Sequence, residues 1–425
     1  MNLSTFAENF FLQMADEYDE IEINEEDEMA PSDLDDGPFD ENTNEQVEDN
    51  SFFSYQLPDS ALCVSSNPVN PFQVCVGCLD NSARLIEVDN AGNPQSVHAL
   101  LGHEDSVTSV QFSPDGRLVA TGSYDKTIRV WSSASGDLLG TIDETGSDIE
   151  AILFHPVSSV LVAGCVDGSV WVWQISGEGE VTLEHMLQGH THGAGVRTLN
   201  FLGKGNQGLL STSEEGVAIV WNLKTGEVVH KTKSFADAIL SASVHPVKPL
   251  YAVGLERGDA YVLHAESGKV LHRITTGQQG SIESVKFSAC GSLLAVGTLQ
   301  GVLEIWHMDQ LNGYPRHKID LKARLISESE QESKSNDDEN DHIGITSLVW
   351  HPDQSLRCLI SGGKGGRVDL WNAMTGEHLG NLPGHSDDIM DLAVVNISDP
   401  QNRQVARVVS VCDAGTVKMF TVSQD

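Results

Sequence analysis

From about residue 52 onward, apolar and polar positions alternate in short runs broken by turn residues, and one unit keeps returning. Each unit reads as an apolar strand, a turn, a second apolar strand with small residues, a tight turn and a third strand ending on a large side chain. Aligned on their ends, the second and third strands fall at Phe72–Val88, Leu118–Trp131, Val160–Trp173, Gly208–Trp221, Leu250–Leu263, Ser292–Trp306, Arg357–Trp371 and Ala406–Phe420. The closing residues Ile86, Trp131, Trp173, Trp221, Leu263, Trp306, Trp371 and Phe420 lie 45, 42, 48, 42, 43, 65 and 49 positions apart. Only the 65 is discordant, and it contains a polar insertion. Short alternating strands at this period predict an all-β chain of radially repeated four-stranded sheets, eight in number with seven as the alternative. No helical periodicity competes with it.

A repeated sheet of this kind has two apolar faces, so it is stable only between neighbours in a closed ring. The eighth unit stops at Val422 and lacks an outer strand. The segment Phe52–Leu57 (FFSYQL) precedes the first unit and is expected to supply it, joining the two ends of the chain.

The units resemble WD40 repeats. The fullest match is Gly102-His103, then Val107–Phe112, Ser113-Pro114-Asp115-Gly116, Leu118–Ser123, Tyr124-Asp125-Lys126 and Thr127–Trp131. Fragments recur as Gly189-His190, Gly384-His385, Val166-Asp167-Gly168, His155-Pro156, His245-Pro246 and His351-Pro352. The resemblance implies a WD40 β-propeller in which the turn Asp pairs with the His of Gly-His, and the His reaches a strand hydroxyl and then the Trp indole. Here only His103, Thr121, Asp125 and Trp131 are expected to form that structural tetrad. Asp80 and Asp167 keep the turn acid elsewhere, whereas Glu215, Arg257, Gln300 and Gly365 replace it. These types are scaffold, not a catalytic triad. Within the family, Val160–Gln174 and Thr375–Val422 are similar to two related groups. One is the fungal ribosome-assembly WD-repeat chaperones that escort a large-subunit ribosomal protein of the L-sixteen type; the other is the angio-associated migratory cell proteins of animals.

Charge sharpens this. The formal net charge is −37, which disfavours direct nucleic-acid or anionic-membrane binding and favours a basic partner. The first fifty residues hold eighteen Asp or Glu and no Lys or Arg, so residues 1–51 read as an acidic disordered tail. Without them, 44 acids still face 25 bases, a balance of −19 for the propeller at 52–425. An acidic insertion at about 322–342, containing Leu325–Asp341 with seven acids and one base, reads as a disordered loop. The seven cysteines lack dense pairing, which suits a reducing compartment. Cys75 and Cys78 have CxxC spacing inside a strand-like run and read as buried thiols. No stretch approaches the length of a membrane helix, and no secretory signal begins the chain.

The loops before each first strand and between the second and third strands should share one rim. Acids crowd there: Glu104, Asp105, Asp148, Glu214, Glu215, Asp237, Glu256, Asp387, Asp388 and Asp413. At the second position of first strands stand Glu150, Glu283 and Asp391, while Lys126, Arg197, Arg257 and Lys364 interrupt the ring. The expected partner-binding residues are Glu283 and Asp413 foremost, then Glu150 and Asp391, with Glu104, Asp105, Asp148 and Asp388. A negative funnel of this kind suits Arg- and Lys-rich segments. With the resemblance, the expected function is a chaperone that captures the basic N-terminal segment of a large-subunit ribosomal protein for 60S assembly. It would act as a monomer in the cytoplasm, with nuclear passage left open. No catalysis, metal or cofactor is expected, because no phosphate loop or metal-spaced His cluster is present. The alternatives are a ubiquitin-ligase receptor, a general scaffold or a histone-binding propeller. The first lacks the Arg expected after a closing Trp-Asp, since the chain reads Trp131-Ser132-Ser133, Trp221-Asn222-Leu223-Lys224 and Trp371-Asn372-Ala373-Met374.

Overall fold

A computed structural model describes residues 49–203, 205, 207–277, 280–309, 315–321, 343–353, 357–398 and 404–423. The acidic tail and the insertion at 322–342 lie outside these residues, apart from the tail's last three positions. The described chain forms eight four-stranded antiparallel sheets, each ordered as a meander except the last. Blade 1 runs Ala61–Ser66, Gln73–Cys78, Ala83–Val88 and Pro94–Leu100, and blade 8 begins at Ile389–Ser398. The first strand of every blade packs on the first strands of both neighbours, and blade 8 returns to blade 1. The first strands therefore line the centre and the fourth strands the circumference.

Closure follows the sequence pattern. Phe53–Gln56 pairs antiparallel with Thr416–Ser423, with Phe53 opposite Met419 and Gln56 opposite Thr416. It is the outermost strand of blade 8, in the order closing strand, Thr416–Ser423, Gln404–Cys412, Ile389–Ser398.

Alternation along each strand sends successive side chains into opposite seams. The buried apolar side chains accordingly gather in eight clusters, one per seam, and none belongs to a single blade. Cys75 and Cys78, three apart on one strand, thus face opposite ways. Cys75 packs in the seam with blade 2 and Cys78 in the seam with blade 8. Burial pushes both thiols up, Cys78 to about 11. This geometry holds them apart as structural thiols.

Near the axis the blades approach closely. Several second strands carry glycine at one level: a Cβ on Gly122 would come within 2.8 Å of Ile149, and one on Gly164 within 2.6 Å of Val196. Seven first strands also carry a β-bulge after their first residue, as between Ile149 and Ala151 or Ile389 and Asp391. The bulge inserts one residue and shifts the side chains that follow it.

The N-terminal strand covers apolar faces that blade 8 could not otherwise bury, and Phe53 is only 5% exposed. Deleting residues 52–57 is expected to abolish the single cooperative thermal transition, monitored by circular dichroism. Phe53→Asp, which puts a carboxylate in that seam, should lower stability by roughly 3 kcal/mol or more. A deletion variant that melts like the full chain would contradict closure.

Candidate functional site

One hydrogen bond repeats in all eight blades and defines the rim. The first residue of each turn between second and third strands donates its N–H to the carbonyl in the loop before the first strand. The donors are Leu79, Tyr124, Val166, Glu214, Glu256, Leu299, Lys364 and Asp413, and the acceptors Ser60, Ser106, Asp148, Gly195, Ala238, Ser281, Gly344 and Asp388. Both loop classes therefore share one face. The turns are tight because a left-handed residue closes them, glycine at Gly216 and Gly415 but Asn81 and Lys126 in blades 1 and 2.

The eight acidic candidates divide on this face. Glu283 is half-buried and accepts the Ser281 hydroxyl at 2.5 Å. Asp413 is exposed and accepts the Ser60 hydroxyl from blade 1, also at 2.5 Å. Among the described residues neither carboxylate has a Lys, Arg or His at ion-pair distance. Glu150, at a bulge, is held by Arg197 at 2.8 Å and by the Tyr124 hydroxyl at 3.2 Å. Arg197 also lies 3.5 Å from Glu214, so this basic residue spends its charge on two rim acids. Glu104 and Asp105 are exposed, and Asp105 caps the N–H of Ser106. Asp148 is half-buried and lends its carbonyl to Val166. Asp388 accepts the N–H of Gly365 in the turn of blade 7 at 2.8 Å, whereas Asp237 accepts that of Arg257 in the turn of its own blade at 2.9 Å.

Asp391 is placed differently from Glu150 and Glu283. It follows the bulge, at the level where blades 2 and 6 carry Ser109 and Ser284. Those serines accept an N–H from the next blade's first strand, Ile152 and Leu348 respectively. Asp391 does the same for Val64 of blade 1 at 3.1 Å. Burial raises its pKa, against the N–H groups of Val64 and Leu392 that favour the anion. Its carboxylate is a joint in the ring, committed to the blade 8–blade 1 seam.

The scaffold network is wider than one tetrad. In blade 2, His103 contacts Asp125 at 2.8 Å and Thr121 at 2.7 Å, and Trp131 donates to Thr121 at 2.9 Å. Against the cost of burial, Thr127, the Glu104 N–H and His103 hold the Asp125 carboxyl below its ordinary range. The expectation that this set is unique is corrected by blade 4. There His190 meets Ser211 at 2.7 Å and Glu215 at 3.5 Å, and Trp221 donates to Ser211 at 2.8 Å. The longer Glu reaches from the same turn. Other indoles find other acceptors: Trp173 bonds Glu144, Trp306 bonds Glu304 and Trp371 bonds Ser361. In blade 8, His385 still holds Ser410 at 2.6 Å, but Ala414 replaces the turn acid and the buried Nδ1 has no hydrogen-bond partner among the described residues.

Three rim residues escaped a reading focused on charge. Leu79, Tyr124 and Val166 are exposed by 45%, 36% and 37%. They hold the first turn position in blades 1, 2 and 3, and that shared position was the available signal. No group of His, Cys, Asp and Glu among the described residues is arranged to hold a metal.

The family model described as "WD domain, G-beta repeat" matches residues 94–132, 136–174, 268–307 and 338–372, so the chain carries WD40 repeats. The first two windows each take the fourth strand of one blade and three strands of the next, the same offset that ring closure requires. The human angio-associated migratory cell protein is 25% identical over 384 residues, covering 86% of this chain and 78% of its own. Ribosome assembly protein SQT1 of Saccharomyces cerevisiae is 24% identical over 393 residues, covering 86% and 84%. The crystal structure of Saccharomyces cerevisiae Sqt1 superposes with a TM-score of 0.75 at 23% identity, over 88% of this chain and all of that one. Sqt1 of Chaetomium thermophilum, bound to the N-terminus of ribosomal protein L10, gives 0.70 at 19% identity, with coverages of 88% and 100%.

The buried histidines give the propeller an acid limit. Burial pushes His190 and His385 down to about 4, with Glu215 only partly opposing this at His190. Their folded values lie below the ordinary 6.5, so the fold prefers neutral imidazole. Stability is complete above about pH 6.5 and falls toward pH 4, by roughly 3 kcal/mol per histidine at the lower end. The melting temperature should therefore be level from about pH 7 to 8 and decline below about pH 6.5. His190→Gln with His385→Gln should make that decline shallower, whatever its effect on stability at neutral pH. An unchanged slope would contradict the assignment.

Proposed function

We propose that this WD40-repeat propeller is a dedicated chaperone. It captures the basic N-terminal segment of a large-subunit ribosomal protein on its acidic rim and releases it during 60S assembly. The observation that carries this reading is that Glu283 and Asp413 have no cation at ion-pair distance among the described residues, on the face where Glu150 and Glu214 are already paired with Arg197. Similarity to SQT1, a ribosome assembly protein, supports it, as does the Chaetomium relative seen with the N-terminus of ribosomal protein L10. An L-sixteen-type client is the finer form of the proposal.

The mechanism needs no chemical step. Uncommitted carboxylates attract Arg and Lys over distances of about a Debye length, roughly 8–10 Å at ordinary ionic strength. At contact they accept charge-assisted hydrogen bonds, bidentate where Arg is presented. Bound in this way, the segment is shielded from nucleic acid. Ribosomal RNA, with denser negative charge, then displaces the rim. Capture belongs in the cytoplasm on this reading, in keeping with seven free cysteines.

The basic N-terminal peptide of the L-sixteen-type protein should bind with one-to-one stoichiometry, measured by calorimetry, and affinity should fall as salt rises. Glu283→Lys with Asp413→Lys should weaken it by more than about tenfold while leaving the melting temperature near that of the parent protein. Glu150→Gln, whose carboxylate already serves Arg197, should cost less than about threefold. Undiminished binding by the folded double variant would refute the acidic-rim reading.

A further inference from the structure

The eightfold rim position is chemically divided. Blades 1, 2 and 3 present Leu79, Tyr124 and Val166, whereas Glu214, Glu256 and Asp413 hold the same position in blades 4, 5 and 8, and Leu299 and Lys364 hold it in blades 6 and 7. Exposed large apolar side chains thus recur at one rim position on three consecutive blades, a regularity that scattered surface residues do not have. Tyr124 is also fixed, because its hydroxyl donates to Glu150 and its ring is thereby held in one orientation.

The acids of the three turns are occupied. Asp80 serves Ser82 and Arg84, Asp125 serves His103 and Thr127, and Asp167 serves Ser169. What these turns leave open to a ligand is therefore the apolar Leu79, Tyr124 and Val166, beside the exposed Glu104 and Asp105 of the loop before the first strand of blade 2. The boundary with the acidic part is sharp at blade 1, where Ser60 touches both sides. Its carbonyl accepts the Leu79 N–H, and its hydroxyl donates to Asp413. A carboxylate with no cation at ion-pair distance among the described residues thus stands one residue away from the start of the apolar sector.

We infer that the rim is a two-part seat for a basic segment carrying a large aromatic or aliphatic residue beside its Arg or Lys. The cation meets Asp413, and the apolar residue covers Leu79, Tyr124 and Val166. The inference rests on the proposed capture of a basic segment and adds a requirement to it. Charge alone would accept any polycation, whereas the apolar sector selects those with an apolar anchor and adds a component of affinity that salt does not screen. Charge complementarity at the Asp413 boundary fixes the occupant as a basic peptide, in preference to a second copy of this acidic chain.

The test uses the full chain and two short fluorescent peptides of equal positive charge. One alternates Arg with Gly, and the other replaces two of the Gly with Tyr. Fluorescence anisotropy at about 50 mM and about 200 mM salt reads both affinities. The parent protein should bind the Tyr peptide about fivefold or more tightly than the Gly peptide, with the ratio growing at higher salt. Leu79→Ser with Val166→Ser should bring the Tyr peptide down toward the Gly peptide. Glu283→Gln with Asp413→Gln should weaken both peptides and keep the preference. Equal binding of the two peptides by the parent protein would overturn the apolar seat and leave acidic capture standing. Failure of both peptides to bind would overturn capture itself. Melting temperatures of the serine variant report whether its fold is intact, and both substituted side chains are surface-exposed.

Discussion

Each blade of this protein has two apolar faces and no core of its own, and everything else in the structure answers to that constraint. The eight buried clusters are seams, each made from two neighbours. A single unpaired edge or missing neighbour would leave apolar surface open to water and to other chains. The pairing of Phe53–Gln56 with Thr416–Ser423 therefore does more than add four residues to a sheet. It ties the beginning of the folded region to its end and makes the ring a single cooperative object. The rim, in turn, exists as a surface only because the ring is closed.

Inside the ring the polar groups follow one rule, satisfaction of buried donors, by several means. The closing tryptophans of blades 2, 3, 4, 6 and 7 all donate their indole N–H, to Thr121, Glu144, Ser211, Glu304 and Ser361. Once an acceptor is present the identity of the motif is free to drift, because an unmet buried N–H costs far more than a substitution that keeps the bond. In blade 8, Phe420 has no indole N–H, which removes the need for a full relay. His385 remains with one ring nitrogen that has no hydrogen-bond partner among the described residues. The same burial that stabilises the neutral rings makes their protonation costly.

The fold was legible in the sequence because a strand period of two and a repeat near forty-five residues are global signals that survive local drift. The closing strand was legible for the same reason, since the eighth unit visibly lacked one. Parts of the rim were not. Glu150, Glu283 and Asp391 look equivalent in the sequence, yet Glu150 sits at the bulge of its strand whereas Asp391 follows the bulge of its own, at the level of Ser109 and Ser284. There it reaches Val64 across the seam. Glu215 departs from the Asp expected in the turn, yet its extra methylene leaves it in reach of His190. The apolar sector was hidden because composition drew attention to charge, and exposure cannot be read from a residue type.

The rim's chemistry lies in which acids are left without cations. Most carboxylates on this face bond a turn, a tetrad histidine or Arg197, so the large formal charge overstates what a partner meets. Among the described residues Glu283 and Asp413 bond only a serine hydroxyl and have no cation at ion-pair distance, and the proposed reading assigns them to a basic ligand. The most direct measurement of that account is native mass analysis of the protein purified from its own cells at low salt. The account predicts a one-to-one complex with a basic large-subunit ribosomal protein, dissociating as salt is raised and absent when Glu283 and Asp413 are both changed to Lys. A chain recovered without such a partner, or a complex that survives both high salt and the charge reversal, would contradict it.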